Sequence, residues 1–236
     1  ERGSELFEEI TRLPGYYPTR AELALLEEHV PAWVAELRPR ALVELGAGSA
    51  TKTRVILSAL ERHGGRTYVP VDISADFLER TAAELRPEYP ELEVVPVAAD
   101  FTRALTLPMT LPRPALITFL GSTIGNFTAS GALEILTRIR TGMQPEDRFL
   151  MGVDLRKDVS VLEAAYNDSA GVTAEFNLNL LRVVNRRYDA DFALDGFRHR
   201  AFYNTDQHRI EMHLVATRAQ VVQIPGAGKF TIKEGE

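Results

Sequence analysis

The chain has 236 residues, 45% of them hydrophobic and none of them cysteine, and carries a net charge of −6. That length suffices for one full domain and a smaller second one, and no apolar run approaches the ~20 residues of a membrane helix. The missing cysteines exclude disulfides, thiolate metal sites and cysteine nucleophiles, and the acidic balance argues against a nucleic-acid surface.

Taken in order, residues 1 to about 36 read as helical, and Glu1-Arg2-Gly3-Ser4-Glu5 has no signal-peptide character. Thr19-Arg20-Ala21-Glu22, preceded by Pro18, has the form of a capping box, and Leu23, Leu26 and Val30 recur at helical spacing. From about 37 to 155, strand and helix patterns alternate at 41–45, 51–60, 67–72, 75–85, 92–98, 115–120, 130–140 and 148–154. Such alternation predicts a parallel sheet covered on both faces, hence an α/β fold. After Asp154 the character changes. Segments 159–166 and 173–187 read as helices, and 197–205 and 208–216 as paired strands around a turn near Asp206. Segments 221–224 and 229–233 read as further strands around Pro225-Gly226-Ala227-Gly228. Arg182, Arg186 and Arg187 form a basic cluster that reads as a solvated helix face.

Chemistry concentrates at the ends of the first four strands. Val43-Glu44-Leu45-Gly46-Ala47-Gly48-Ser49-Ala50-Thr51-Lys52 reads as a strand, a tight turn and a helix start. Glycines let backbone N–H groups approach a ligand closely, and the helix end adds partial positive charge. A dinucleotide site prefers a third glycine three residues after the second, where this chain has Thr51. Glu44 is an odd neighbour for a pyrophosphate but suits a ligand carrying a sulfonium and an ammonium. Asp72 ends the second strand 24 residues after Gly48, near the ~20-residue spacing at which an acid binds ribose hydroxyls. It fits a helix N-cap as well, since Ser74 and Asp76 open the next helix. Asp100-Phe101 ends the third run, an acid for an adenine amino group and a ring to cover the base. The fourth run leads into Gly121-Ser122-Thr123-Ile124-Gly125-Asn126. In open α/β sheets, ligands bind beyond the carboxyl ends of the strands.

The acid-x-Gly-x-Gly pattern resembles the first motif of class I S-adenosylmethionine-dependent methyltransferases. Longer stretches resemble one family among them: 10–20 (Ile-Thr-Arg-Leu-Pro-Gly-Tyr-Tyr-Pro-Thr-Arg), 120–127 (Leu-Gly-Ser-Thr-Ile-Gly-Asn-Phe), Tyr166-Asn167-Asp168, and 173–179 (Thr-Ala-Glu-Phe-Asn-Leu-Asn). These are similar to signature stretches of the histidine Nα-methyltransferases of ergothioneine biosynthesis, and the resemblance runs along nearly the whole chain. It implies a Rossmann-like class I methyltransferase sheet with a smaller α+β substrate-binding domain. Residues 1–20 would form a helical part of the substrate domain, 21–156 the cofactor domain and 157–236 the rest of the substrate domain. It also implies S-adenosylmethionine as cofactor and transfer of three methyl groups to the α-amine of L-histidine, giving hercynine. A cytoplasmic monomer is expected, acting on a small molecule with no nucleic acid, membrane or metal.

At the matching positions, the resemblance assigns Gly46, Lys52, Asp72, Asp100 and Phe101 to S-adenosylmethionine, joined by Glu44 and Gly48 from the turn pattern. It assigns Asn126 and Tyr166 to the substrate carboxylate, Tyr16 and Gly121 to the vicinity of the α-amine, and Phe7 and Met212 to the pocket lining. Tyr16 and Asn126 are the catalytic candidates. Methyl transfer from a sulfonium to an amine needs mainly positioning and desolvation. A tyrosine hydroxyl, or a water it holds, can carry protons away, although a phenol with pKa ~10 is a poor base at neutral pH. Plainer readings fit the same residues. Tyr16 and Tyr17 also suit packing between helices, Asn126 a cap for the helix near Ser130, and Phe7 and Met212 a core. The five histidines are scattered, with no metal-ligand spacing.

In the family, a Thr-Glu-x-Ser-like stretch that recognises imidazole follows the segment resembling 230–236, and the last strands of the sheet follow too. Four or five strands are legible before Asp154, so the chain is expected to be a trimmed form of a longer protein. Two other functions remain open: a methyltransferase for another aromatic amino acid or amine, and a non-catalytic module that holds S-adenosylmethionine. An NAD-dependent site is the weakest fit.

Overall fold

The structure is a computed structural model that describes residues 2–48, 50–105, 107–108 and 110–236; Ser49 of the glycine turn lies outside the described residues. The chain forms two compact units, one of Glu1–Tyr17 and Leu155–Glu236, the other of Pro18–Asp154.

The second unit is built on apolar strands: β1 (Ala41–Leu45), β2 (Thr67–Asp72), β3 (Glu93–Val94), β4 (Val97–Ala98), β5 (Ala115–Phe119) and β6 (Arg148–Met151). They form one six-stranded sheet in the order β3-β2-β1-β5-β6, with β4 also paired to β2. Every pairing is parallel. Near-continuous apolar runs such as those of β1 and β5, broken only by Glu44 and Thr118, are what a sheet buried on both faces demands, and every residue of both strands is buried. The Rossmann-like sheet read from the sequence is therefore present. The third predicted strand, 92–98, is split into two short pieces because Pro96 at its centre has no N–H to give the ladder. Val95 and Ala99 keep their bonds to the carbonyls of Tyr68 and Asp72.

Period-2 alternation sorts the two faces. Leu42, Tyr68 and Leu116 pack with α2 (Tyr17–Leu37), α3 (Thr53–Arg62) and α4 (Ala75–Glu88). Val43, Leu45, Val69, Val71, Ile117 and Phe119 pack on the other face with Ile135 and Ile139 of α5 (Ala129–Gly142). Strand order reverses between β1 and β5, the switch point at which open α/β sheets take ligands. The predicted capping box at 19–22 is not one. α2 already begins at Tyr17, which places Pro18 in its first turn, where a missing N–H is harmless, and the Glu22 carboxylate is engaged elsewhere.

The first unit combines α1 (Arg2–Thr11), α6 (Val159–Ala164) and α7 (Val172–Tyr188) with two antiparallel pairs, β7 (Phe197–Asn204) with β8 (Arg209–Ala216) and β9 (Gln220–Ile224) with β10 (Gly228–Ile232). Arg2 on α1 reaches Glu175 on α7 at 3.1 Å. The turn near Asp206 is an Asx turn, in which Asn204 Oδ1 accepts from the N–H groups of Asp206 and Gln207.

Ile117 is wholly buried at the centre of the sheet. Ile117→Ala should lower unfolding stability by about 2–5 kcal/mol. Urea denaturation checks this, and a loss under ~1 kcal/mol would contradict a central position for β5.

Candidate functional site

In the second unit the turn at 46–50 leaves the end of β1. Gly46 N donates to Val71 O at 2.8 Å and Ala50 N to Ala47 O at 3.1 Å. Gly46 and Gly48 adopt φ of +70° and +51°, and a Cβ on either would meet nothing within 4 Å. The backbone is thus in a conformation that favours glycine and borders open space, a cradle that a ligand can enter.

Glu44 does not face that cradle. Its place between Val43 and Leu45 puts it on the helix side of the sheet, where it is 4% exposed. Thr53 Oγ1 lies 2.8 and 2.7 Å from its two oxygens, and Tyr68 OH donates to Oε2 at 2.6 Å. Burial pushes the Glu44 carboxyl up to about 7, against the opposing effect of the Tyr68 and Thr53 hydrogen bonds and the Lys52 charge. Burial, reinforced by Glu44, also drives the Tyr68 phenol well above its usual range. Glu44, expected beside a sulfonium, is here the fastener between β1, β2 and the first residue of α3.

Two other acids stand at strand ends. Asp72 Oδ1 accepts from Ser74 N at 3.0 Å, an Asx turn; the cap of α4 is Ser74, which makes no side-chain capping bond, so Asp72 is not the N-cap that the sequence also allowed. Asp100 Oδ1 accepts from Thr102 N at 3.0 Å and from the Thr102 hydroxyl, which holds its carboxyl below the usual range. These bonds fix each carboxylate while Oδ2 retains acceptor capacity. Phe101 packs edge-on to Phe119 of β5, with centroids 5.5 Å apart.

Lys52 lies directly before α3, its Nζ paired with Glu22 of α2. The same carboxylate accepts from Gly121 N at 2.7 and 3.0 Å. Glu22 joins two of the site positions that the sequence marks, yet its partners are 30 and 99 residues away, so no local pattern reveals it. Beyond Gly121 (φ +77°), a short 3₁₀ turn, Thr123–Asn126, presents Asn126 exposed. Thr128, not Asn126, caps α5, accepting from Gly131 N.

The first unit carries the remaining candidates. Tyr16 is 7% exposed and packs with Ile10 and Ala165. Its ring stands edge-on to Tyr166 at 5.7 Å and to Phe7 at 6.4 Å, and Phe7 contacts Phe176 at 6.3 Å. His199 Nε2 donates to Tyr166 O at 2.8 Å, while Nδ1 accepts from Asn177 Nδ2 at 3.0 Å, a consistent neutral tautomer. No sequence pattern marks Asn177 or His199 as a support for Tyr166. Met212 is half-exposed on β8, paired with Ala201 rather than within the aromatic group. Among the described residues, no group of three His, Asp or Glu side chains could hold a metal ion.

The donor set fits an adenosyl ligand with a cationic tail: open glycine backbone, fixed carboxylates after β2 and β4, and an aromatic ring beside the second. A family model described as histidine-specific methyltransferase, SAM-dependent, matches residues 1–236. The histidine N-alpha-methyltransferase of Mycobacterium tuberculosis is 45% identical over 233 residues, covering 98% of this chain and 71% of that protein. The protein of the same name from Mycolicibacterium smegmatis is 45% identical over 224 residues, 94% of this chain and 69% of that one. Ergothioneine biosynthesis protein 1 of Neurospora crassa is 32% identical over 255 residues, 100% of this chain and 29% of that protein.

A carboxyl raised from 4.5 to about 7 stabilises the fold fully below pH 4.5, and that stability is lost as pH rises through 7. The stability of the chain relative to a Glu44→Gln variant should therefore fall, by on the order of 3 kcal/mol in all, between pH 4.5 and 8. Paired thermal melts across that range test this; parallel curves would refute it.

Proposed function

Because the chain belongs to the S-adenosylmethionine-dependent, histidine-specific methyltransferase family, we propose that it methylates the α-amine of L-histidine, three times in succession, to give hercynine. The observation that carries this is the match of the family model along the whole chain, supported by a glycine cradle at the switch point of the sheet. When bound, S-adenosylmethionine supplies an electrophilic methyl group on a sulfonium.

The second unit does the holding of the cofactor in this reading. Gly46 and Gly48 admit it to the backbone, Asp72 accepts from the ribose hydroxyls, and Asp100 and Phe101 take the adenine. Lys52 suits the carboxylate of the amino-acid tail. Glu44 works from beneath by anchoring α3. Asn126 offers neutral donors to the substrate carboxylate, which orient it without adding a cation beside a product that is permanently positive.

In the first unit, Tyr16 supplies a hydroxyl for the α-amine, and its ring is fixed by Phe7 and Tyr166. Its task is to position the lone pair and pass protons to water before each transfer, which suits a phenol better than service as a strong base. Tyr166, whose carbonyl is held by His199, assists with the substrate carboxylate. Met212 borders the amino-acid side chain. A cytoplasmic monomer acting on a small molecule is part of this reading; no helix among the described residues is long and apolar enough to cross a membrane. An aromatic group built from Phe7, Tyr16, Tyr166 and Phe176 serves other aromatic amino acids as well, and this keeps tryptophan as the comparison substrate.

Mass spectrometry of histidine incubated with S-adenosylmethionine and the chain should show additions of one, two and three methyl groups. Titration calorimetry on a form of the chain extended at its C-terminus should rank histidine above tryptophan, and the reverse order would replace the substrate. Asp72→Ala should weaken S-adenosylhomocysteine by roughly 1–3 kcal/mol. Asn126→Ala should raise the histidine Kd with little change for S-adenosylhomocysteine, whereas equal losses in both would assign Asn126 to the fold instead.

A further inference from the structure

One carboxylate in the second unit bonds two segments that are far apart in sequence. Glu22 sits on α2, in a side chain 14% exposed. It is paired with the ammonium of Lys52, whose side chain is 21% exposed, and both its oxygens accept from Gly121 N. Lys52 ends the glycine turn and opens α3; Gly121 opens the loop that follows β5. The two segments leave the neighbouring strands β1 and β5, on either side of the switch point.

The surroundings are shaped around this carboxylate. A Cβ on Gly152 would overlap Glu22 Oε1 and lie 3.0 Å from its Cδ. A Cβ on Gly121 would come within 3.3 Å of Lys52 Nζ. Two glycines thus leave the space that the pair occupies. The main chain at Gly152 is itself tied to β5, through Gly152 N to Phe119 O at 3.0 Å.

We propose that Glu22 is a positioning residue for the ligand site: its carboxylate sets the reach of the Lys52 ammonium and fixes the N–H of Gly121, so that the glycine turn and the loop after β5 keep one spacing. This rests on the reading of Lys52 as a cofactor contact. A lysine has a flexible four-carbon stem, and an unrestrained ammonium samples many positions. A carboxylate that also binds a main-chain N–H from the neighbouring strand confines it. Charge-assisted bonds of this kind are the stronger class, and side-chain exposure of 14% and 21% limits their screening by water. The negative charge beside Lys52 also keeps the site from becoming a simple anion trap, as suits a ligand that carries cationic groups.

The test uses calorimetric S-adenosylhomocysteine Kd values and thermal midpoints for the 236-residue chain and four variants. Glu22→Gln keeps an acceptor for Gly121 but removes the charge opposite Lys52. Gly152→Ala evicts the carboxylate without altering any charge, and because the atom it displaces ends a flexible side chain, the chain should still fold, its thermal midpoint lowered only by the loss of the Glu22 bonds. Each should raise the Kd about tenfold, as should Lys52→Met. The double variant Glu22→Gln/Lys52→Met should bind no more weakly than Lys52→Met alone. Wild-type affinity in Glu22→Gln and Gly152→Ala alongside a weakened Lys52→Met would overturn the proposal and leave the role of Lys52 standing. Wild-type affinity in Lys52→Met would defeat the reading of Lys52 and the proposal with it. Fully additive losses in the double variant would show Glu22 acting independently of Lys52, which also overturns it.

Discussion

The second unit depends on a carboxylate that solvent scarcely reaches. Glu44 sits in β1 with apolar neighbours on either side in the chain, and desolvation opposes its ionisation. It is tolerated because Thr53 and Tyr68 give it hydrogen bonds from α3 and β2. Removing either partner would strand a buried polar group, so the three positions act as a unit. The consequence for the ligand site is geometric. The first residue of α3 is tied to β1 and Gly46 N to Val71 O, so the turn is anchored at both of its ends. A Cβ on Gly46 or Gly48 would meet nothing within 4 Å, so the glycine backbone borders open space.

Four acids near the strand ends divide the labour by burial. Glu44 is structural and enclosed. Asp72 and Asp100 are partly exposed, each held at one oxygen by a main-chain N–H two residues on. Glu22 is matched to the lysine that ends the turn. Asp72 and Asp100 each keep a carboxylate oxygen with acceptor capacity, whereas Glu44 is enclosed and Glu22 is neutralised by Lys52.

The first unit solves a different problem. In its aromatic group the Tyr16 ring meets those of Phe7 and Tyr166 edge-on, an arrangement that fixes ring planes as well as filling space. The main chain at Tyr166 is held from behind by His199, whose tautomer is in turn set by Asn177. A neutral imidazole with both nitrogens engaged is a rigid spacer between a helix and a hairpin. Tyr166 therefore has its backbone set by hydrogen bonds and its ring set by packing.

Local pattern alone determined the strand and helix sequence of residues 37–155, because fully buried strands and amphipathic helices leave distinct apolar periods. It also located the glycine turn, the acids after β2 and β4 and the Gly121–Asn126 loop, since turn chemistry is local. The break at Pro96 was legible in principle from its missing N–H, yet the apolar run around it masked the split. The partners of Glu44 and Glu22 were not legible. A residue's face is set by strand alternation, and its neighbour on that face comes from an element tens of residues away. Glu44 reads as a ligand acid until the sheet turns it towards Thr53 and Tyr68; Glu22 reads as a capping residue until tertiary packing brings Lys52 and Gly121 to it. Residue type and local order come from the chain itself, whereas the side that each carboxylate faces is decided only when the layers close.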